Sequence, residues 1–246
     1  MSRRGSIGFD RRLDLSWLDA AAARAKAGAG SEELRAALWD LAGDPASEGH
    51  GVSARKKTVT VLHRIWGPDS GSTEDLRQRA MLLLEDCGPE ERLGLHWAMM
   101  LARYPVFTDV ASTVGRLLRL QDSVSLSLLS RRLADSWGSR STVDRAVQRI
   151  VRSMIQWGVL EDTALAGEYR AQEQRIHLSP EIGAVIAEAL LQDTEGHAMP
   201  LGLLSSHPAL FPFDVRIGAA SLRNARQFRI HREGLDTDVV ELVQGS

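Results

Sequence analysis

Apolar residues recur at helical spacing through most of the chain. Val59, Leu62 and Trp66 fall three and four apart, as do Leu76, Ala80, Leu83 and Leu84. That period puts one apolar stripe on each helix. It predicts helices over 13–26, 31–41, 53–66, 73–87, 89–103 and 105–120. Gly28-Ala-Gly30, a polar loop over 43–51, Gly67-Pro68 and Gly88-Pro89 separate them. Ser31 reads as an N-cap with Glu32 and Glu33 behind it. Pro89 and Pro105 read as first helical residues. Helices with short links and one stripe each make a bundle over residues 1–120.

Between about Val124 and Leu178 the pattern predicts a winged helix-turn-helix, within a segment spanning 121–195. Two helical stretches meet at Trp137-Gly138-Ser139, where Gly138 supplies a left-handed stop. Ser139 or Ser141 is the expected cap of the second helix, and with Ser141 as cap Asp144 becomes its box-like acid. Val143, Ala146, Val147, Ile150, Val151, Met154 and Ile155 form the inward stripe. Thr142, Arg145, Gln148, Arg149, Arg152 and Gln156 face outward without an acid among them. Arginine forks onto guanine and glutamine pairs with adenine, so this face suits a DNA groove. Ser139, Arg140, Ser141 and Thr142 stand where backbone N–H groups and hydroxyls suit a phosphate.

Trp157-Gly158-Val159-Leu160 then ends the helix and opens a strand. A hairpin tip is expected at 168–171 and a returning strand at 174–178, with Arg170 and Arg175 placed to reach a neighbouring phosphate. A helix over 180–192, capped by Ser179, closes the segment. The tail, 196–246, holds a Pro-rich turn at 207–213, a short helix over 215–226 and a β-hairpin. In that hairpin Phe228, Ile230 and Arg232 alternate with Arg229 and His231. The fold class is therefore mainly α: helical bundle, winged helix-turn-helix, then a short helix and β-hairpin.

Composition changes this picture little. The chain has 246 residues, a net charge of -2 and 30 basic residues, of which only Lys26, Lys56 and Lys57 are lysine. A uniformly basic DNA packager is excluded. Cationic sites are almost all planar guanidinium groups. From Arg116 to Gln156, however, eight arginines face three aspartates. One cysteine, Cys87, excludes an internal disulfide and a cysteine-rich zinc site, and reads as a buried thiol. No apolar run approaches a bilayer span and the start lacks a signal-like apolar stretch, so a soluble cytoplasmic protein without membrane contact is expected.

Chemistry is sparse. There is no phosphate-binding GxxxxGK[ST] loop, no GxGxxG, no HExxH and no CxxC. No acid stands two residues ahead of any lysine, so a nuclease core of the Glu-x-Lys type is absent. His63 and His96, near Trp66 and Trp97, read as structural histidines. No nucleophile, base and orienting group assemble, so no enzyme, cofactor or metal is expected.

Three stretches carry a family likeness. They are Ala54 to Trp66, the block 95–120 with Leu101-Ala-Arg-Tyr-Pro-Val-Phe-Thr-Asp-Val110, and Ser139-Arg-Ser-Thr-Val to Trp157-Gly-Val-Leu160 followed by Ile176-His-Leu-Ser-Pro180. In them the chain resembles the BrxA family, the small DNA-binding component of BREX phage-defence systems. The resemblance implies a mostly helical protein that binds double-stranded DNA without catalysis, beside a methyltransferase, an ATPase and other defence proteins. Two other readings stand open: a winged-helix adaptor that docks a protein, and a transcriptional regulator needing a dimer and a palindromic site.

Overall fold

The computed structural model describes residues 7–43, 51–234 and 236–243. Most of the loop expected over 43–51 and the charged start of the chain lie outside them. The chain is mainly helical with a few small sheets. Six helices come first: α1 (Leu15–Lys26), α2 (Ser31–Leu41), α3 (Val52–Trp66), α4 (Ser72–Leu83), α5 (Pro89–Arg103) and α6 (Pro105–Leu118). Pro89 and Pro105 are first helical residues. A proline there loses no hydrogen bond, because its missing N–H would have lacked a partner anyway.

A strand, β1 (Val124–Ser125), leads into α7 (Leu126–Trp137) and α8 (Ser141–Gln156), followed by β2 (Leu160–Asp162) and β3 (Glu168–Ala171). These three strands form one antiparallel sheet in the order β1-β3-β2. Next come β4 (Ile176–His177), α9 (Pro180–Gln192), β5 (Ala198–Pro200), α10 (Leu201–Ser205) and β6 (Phe213–Asp214). The chain closes with α11 (Ala219–Arg223), β7 (Phe228–Glu233) and β8 (Thr237–Leu242).

Two helices form the centre. Leu93 to Leu101 of α5 and Ile182 to Gln192 of α9 are buried without interruption. A helix buried on every side has no solvent face to satisfy, so it carries few charges. Glu188 of α9 is the exception, held by Arg79 at 2.9 and 2.5 Å and by Gln227 at 3.2 Å. Trp97 of α5 gathers Phe107, Phe211, Phe213 and Trp157 around its rings at 4.8–6.3 Å. Its indole N–H donates to the Ala209 carbonyl at 3.1 Å. One buried cluster therefore runs from Phe9 to Val240, across all three segments of the chain.

Three local expectations need correction. Val124 and Ser125 are strand, not helix: Val124 is buried opposite Tyr169. The stretch 174–178 does not return onto the hairpin. Its Ile176 and His177 pair in parallel with Phe213 and Asp214, because the inward turn of Phe213 toward Trp97 brings that strand alongside. The helix expected over 215–226 is only Ala219–Arg223, since Val215 to Gly218 run out along α9 instead. The terminal hairpin is present, and its β8 also pairs with β5, a strand too short to show a period.

Candidate nucleic-acid interface

Ser125 caps α7, its Oγ accepting from the Leu128 N–H at 3.2 Å. At the other end Trp137 donates its indole N–H to Asp109 Oδ2 at 2.7 Å, pinning α7 to α6. Gly138 then turns the chain with φ 79° and ψ 151°, a conformation side chains with a Cβ avoid. The cap of α8 is Arg140, in extended backbone, and no side chain caps the helix. Ser141 is already its first helical residue. Neither serine acts as the cap and the Asp144 box does not form, because the Gly138 turn brings the chain into the helix one residue later than Ser139 and one earlier than Ser141.

The faces of α8 are sharply divided. Val143, Ala146, Val147, Ile150, Val151, Ser153 and Met154 are buried, and Ile155 is partly so. Thr142, Arg145, Gln148, Arg152 and Gln156 are exposed, and Arg149 is half-buried. Asp144, also exposed, sits at the edge of that face. The C-terminal half of the face is engaged within the protein. Gln156 Oε1 accepts from the Leu15 N–H at 2.9 Å. Arg152 donates to both Asp162 oxygens at 3.3 Å and lies over the Tyr169 ring. The N-terminal half is not. Arg145 reaches only back to Ser141, at 3.3 Å to its carbonyl and 3.4 Å to its hydroxyl. Arg140 and Arg149 have no ion-pair partner among the described residues.

The exit from α8 follows the glycine stop. Gly158, at φ 72°, donates to the Ile155 carbonyl and Val159 to that of Met154, both at 3.0 Å. This double bond pattern satisfies the last carbonyls of the helix and aims the chain into β2. The β2–β3 hairpin turns at residues 163–167, so 168–171 is its return strand and not its tip. Arg170 pairs across the strands with Glu161, and Ser123 donates to Glu168. The tip exposes Leu165 (67%) between Ala164 and Ala166. Arg175 lies beyond the hairpin, exposed on the wall of a 470 Å³ cleft that also holds Arg119, His207 and Asp214.

Arg131 and Arg132 of α7 were not singled out from the sequence. Both are exposed and without an ion-pair partner among the described residues. Their signal is the same arginine excess, but they stand on the first helix, whereas base contacts are expected of the second. Between residues 131 and 149 five arginines now face only Asp135 and Asp144.

No family model, curated protein or solved structure matches this chain. Among the described residues no group of three or more His, Cys, Asp or Glu side chains could hold a metal ion. No helix among them is long and apolar enough to cross a membrane. His96 is fully buried, with its two ring nitrogens on the Trp66 indole and Asp19.

Proposed function

We propose that residues 124–178, within the segment 121–195, are a winged helix-turn-helix that binds double-stranded DNA without catalysis, as an accessory subunit of a BREX-like phage-defence system. What carries the reading is the unspent charge on α7 and the first half of α8. Arg131, Arg132, Arg140, Arg145 and Arg149 have no carboxylate partner among the described residues, while Arg152 and Arg170 do. Ion-paired guanidinium groups gain little from a phosphate; unpaired ones release counterions when they meet it. The strand–helix–turn–helix–hairpin order, with β1 completing the sheet, supports the same reading.

The footprint is narrower than the sequence expectation. Arg145, Gln148 and Arg149 face the groove. Ser139, Arg140, Ser141 and Thr142 meet phosphate at the helix start, and Arg131 and Arg132 grip the neighbouring strand. Arg152 and Arg170, neutralised by Asp162 and Glu161, contribute little. The defence context, with a methyltransferase and an ATPase as partners, rests on the BrxA resemblance alone. The adaptor reading draws on one observation, the apolar hairpin tip at Leu165.

A duplex titration across a salt series tests the DNA reading. Three phosphates neutralised by Arg131, Arg132 and Arg140 give a slope of about −3 in log K against log salt. No binding at 50 mM salt, or a slope near zero, contradicts it.

A further inference from the structure

A cleft of about 470 Å³ opens where three segments of the chain meet. The end of α6 contributes Arg119, the open end of the β2–β3 hairpin and the loop after it contribute Val159 and Arg175, and the tail contributes His207 and Asp214. The tip of the hairpin, at 163–167, lies at the other end of its two strands. None of the lining residues belongs to α7 or α8. A cleft of this size suits a small molecule.

The charge in the cleft selects the ligand. Arg119 donates to the Ser206 carbonyl at 2.6 Å, which holds its guanidinium in place. Neither Arg119 nor Arg175 has a carboxylate partner among the described residues. His207 Nδ1 accepts from the Ala209 N–H at 3.3 Å, so the proton of the neutral ring sits on Nε2 and is a donor. Burial, then Arg116 and Arg119, lower the pKa of His207 to about 4, so the field at that ring is positive. Two carboxylates also line the cleft: Asp214, whose Oδ2 lies 3.3 Å from His177 Nδ1, and the exposed Glu173. Neither offsets the two arginines at His207. Guanidinium groups make charge-assisted bonds to phosphate oxygens. Carboxylates accept from hydroxyl or amino groups, which the rest of the ligand must then supply.

We infer that this cleft binds a small phosphomonoester of the nucleoside monophosphate class, its phosphate on Arg119, Arg175 and the His207 Nε2–H and its hydroxyl or amino groups toward Asp214 and Glu173. An inorganic anion would fill only part of the cleft and leave both carboxylates unmet. The site stands apart from the DNA reading, because it uses no residue of α7 or α8. Arg175, expected from the sequence to reach a phosphate of the duplex, is assigned to this ligand instead.

Isothermal titration calorimetry of the full chain with AMP at up to about 10 mM, a range that covers micromolar to millimolar dissociation constants, tests it. AMP is expected to bind, and adenosine and inorganic phosphate each at least about tenfold more weakly. Arg175→Ala removes a side chain that bonds nothing among the described residues, so the fold stays intact. That variant and Arg119→Ala are each expected to weaken AMP at least about tenfold. Bound AMP sets a phosphate dianion against Arg116 and Arg119, so the pKa of His207, followed by imidazole NMR, is expected to rise from about 4. Affinity for duplex DNA is expected to stay within about twofold in Arg119→Ala, which separates a free phosphomonoester from the DNA backbone as the source of the phosphate. AMP that does not bind overturns the inference. So does adenosine or inorganic phosphate that binds as tightly, either variant with AMP affinity intact, an unmoved His207, or a duplex affinity that falls with Arg119→Ala.

Discussion

At the scale of single residues, His96 shows how a polar group is kept in this core. Its Nδ1 accepts from the Trp66 indole at 3.1 Å and its Nε2 donates to Asp19 Oδ1 at 3.1 Å, so one neutral ring joins α3, α5 and α1. His96→Phe strands the Trp66 N–H in the core, which costs about 1–3 kcal/mol. The urea midpoint is expected to fall by that amount with its slope unchanged; an unmoved midpoint contradicts the network. Burial lowers the pKa of His96 and of His63 below the ordinary 6.5, and burial with Arg116 and Arg119 lowers that of His207 to about 4. Below 6.5 the unfolded chain therefore takes up protons that the folded chain refuses. Stability is expected in full above pH 6.5 and to be lost progressively down to about pH 4, read as the thermal midpoint against pH. A structural role for His63 and His96 was readable from their place beside Trp66 and Trp97 within helical patterns. Asp19 was not, since it lies 77 residues away and no spacing announces it. Cys87 behaves as the lone thiol predicted: buried, with burial pushing its pKa up.

At the scale of elements, α8 is held from behind by the chain ahead of α1. Leu13 donates its N–H to Ser153 Oγ and accepts from the Trp157 indole, and Leu15 donates to Gln156, each at 2.9 Å. Phe9 and Leu13 are fully buried beside these bonds. Ser153→Ala leaves a buried N–H unmet and is expected to cost about 1–3 kcal/mol. Amide exchange should then quicken at the C-terminal end of α8; protection equal to the wild type's contradicts the strap. Gly138→Ala forces a side chain into a conformation that glycine alone takes readily. A cost of about 1–3 kcal/mol is expected in a thermal melt. The turn at Gly138 and the exit at Gly158 were legible because each is a local rule of a few residues. The strap was not, because its bonds span 140 residues or more. Gln156 has the period of the outward face and is exposed, but its amide oxygen is already committed to Leu15 across the same long separation. Two-residue strands such as β1 and β4 show no alternation and had no signal to read.

At the scale of the whole molecule, the aromatic cluster around Trp97 joins α5 and α6, the end of α8 and the tail, so the helix that bears the arginine face shares one core with the rest of the chain. That face is the account's central claim, because the proposed function rests on which arginines are free and which are spent. Fluorescence anisotropy on one labelled duplex at low salt tests it, comparing the wild type with three charge-reversed variants. Arg145→Glu with Arg149→Glu, and Arg131→Glu with Arg132→Glu, are each expected to weaken binding about a hundredfold or more with folding intact. Arg170→Glu, at a side chain already paired with Glu161, is expected to stay within about twofold of the wild type. Unchanged affinity in the Arg145 and Arg149 double variant, or a larger loss at Arg170 than at those two, contradicts the account.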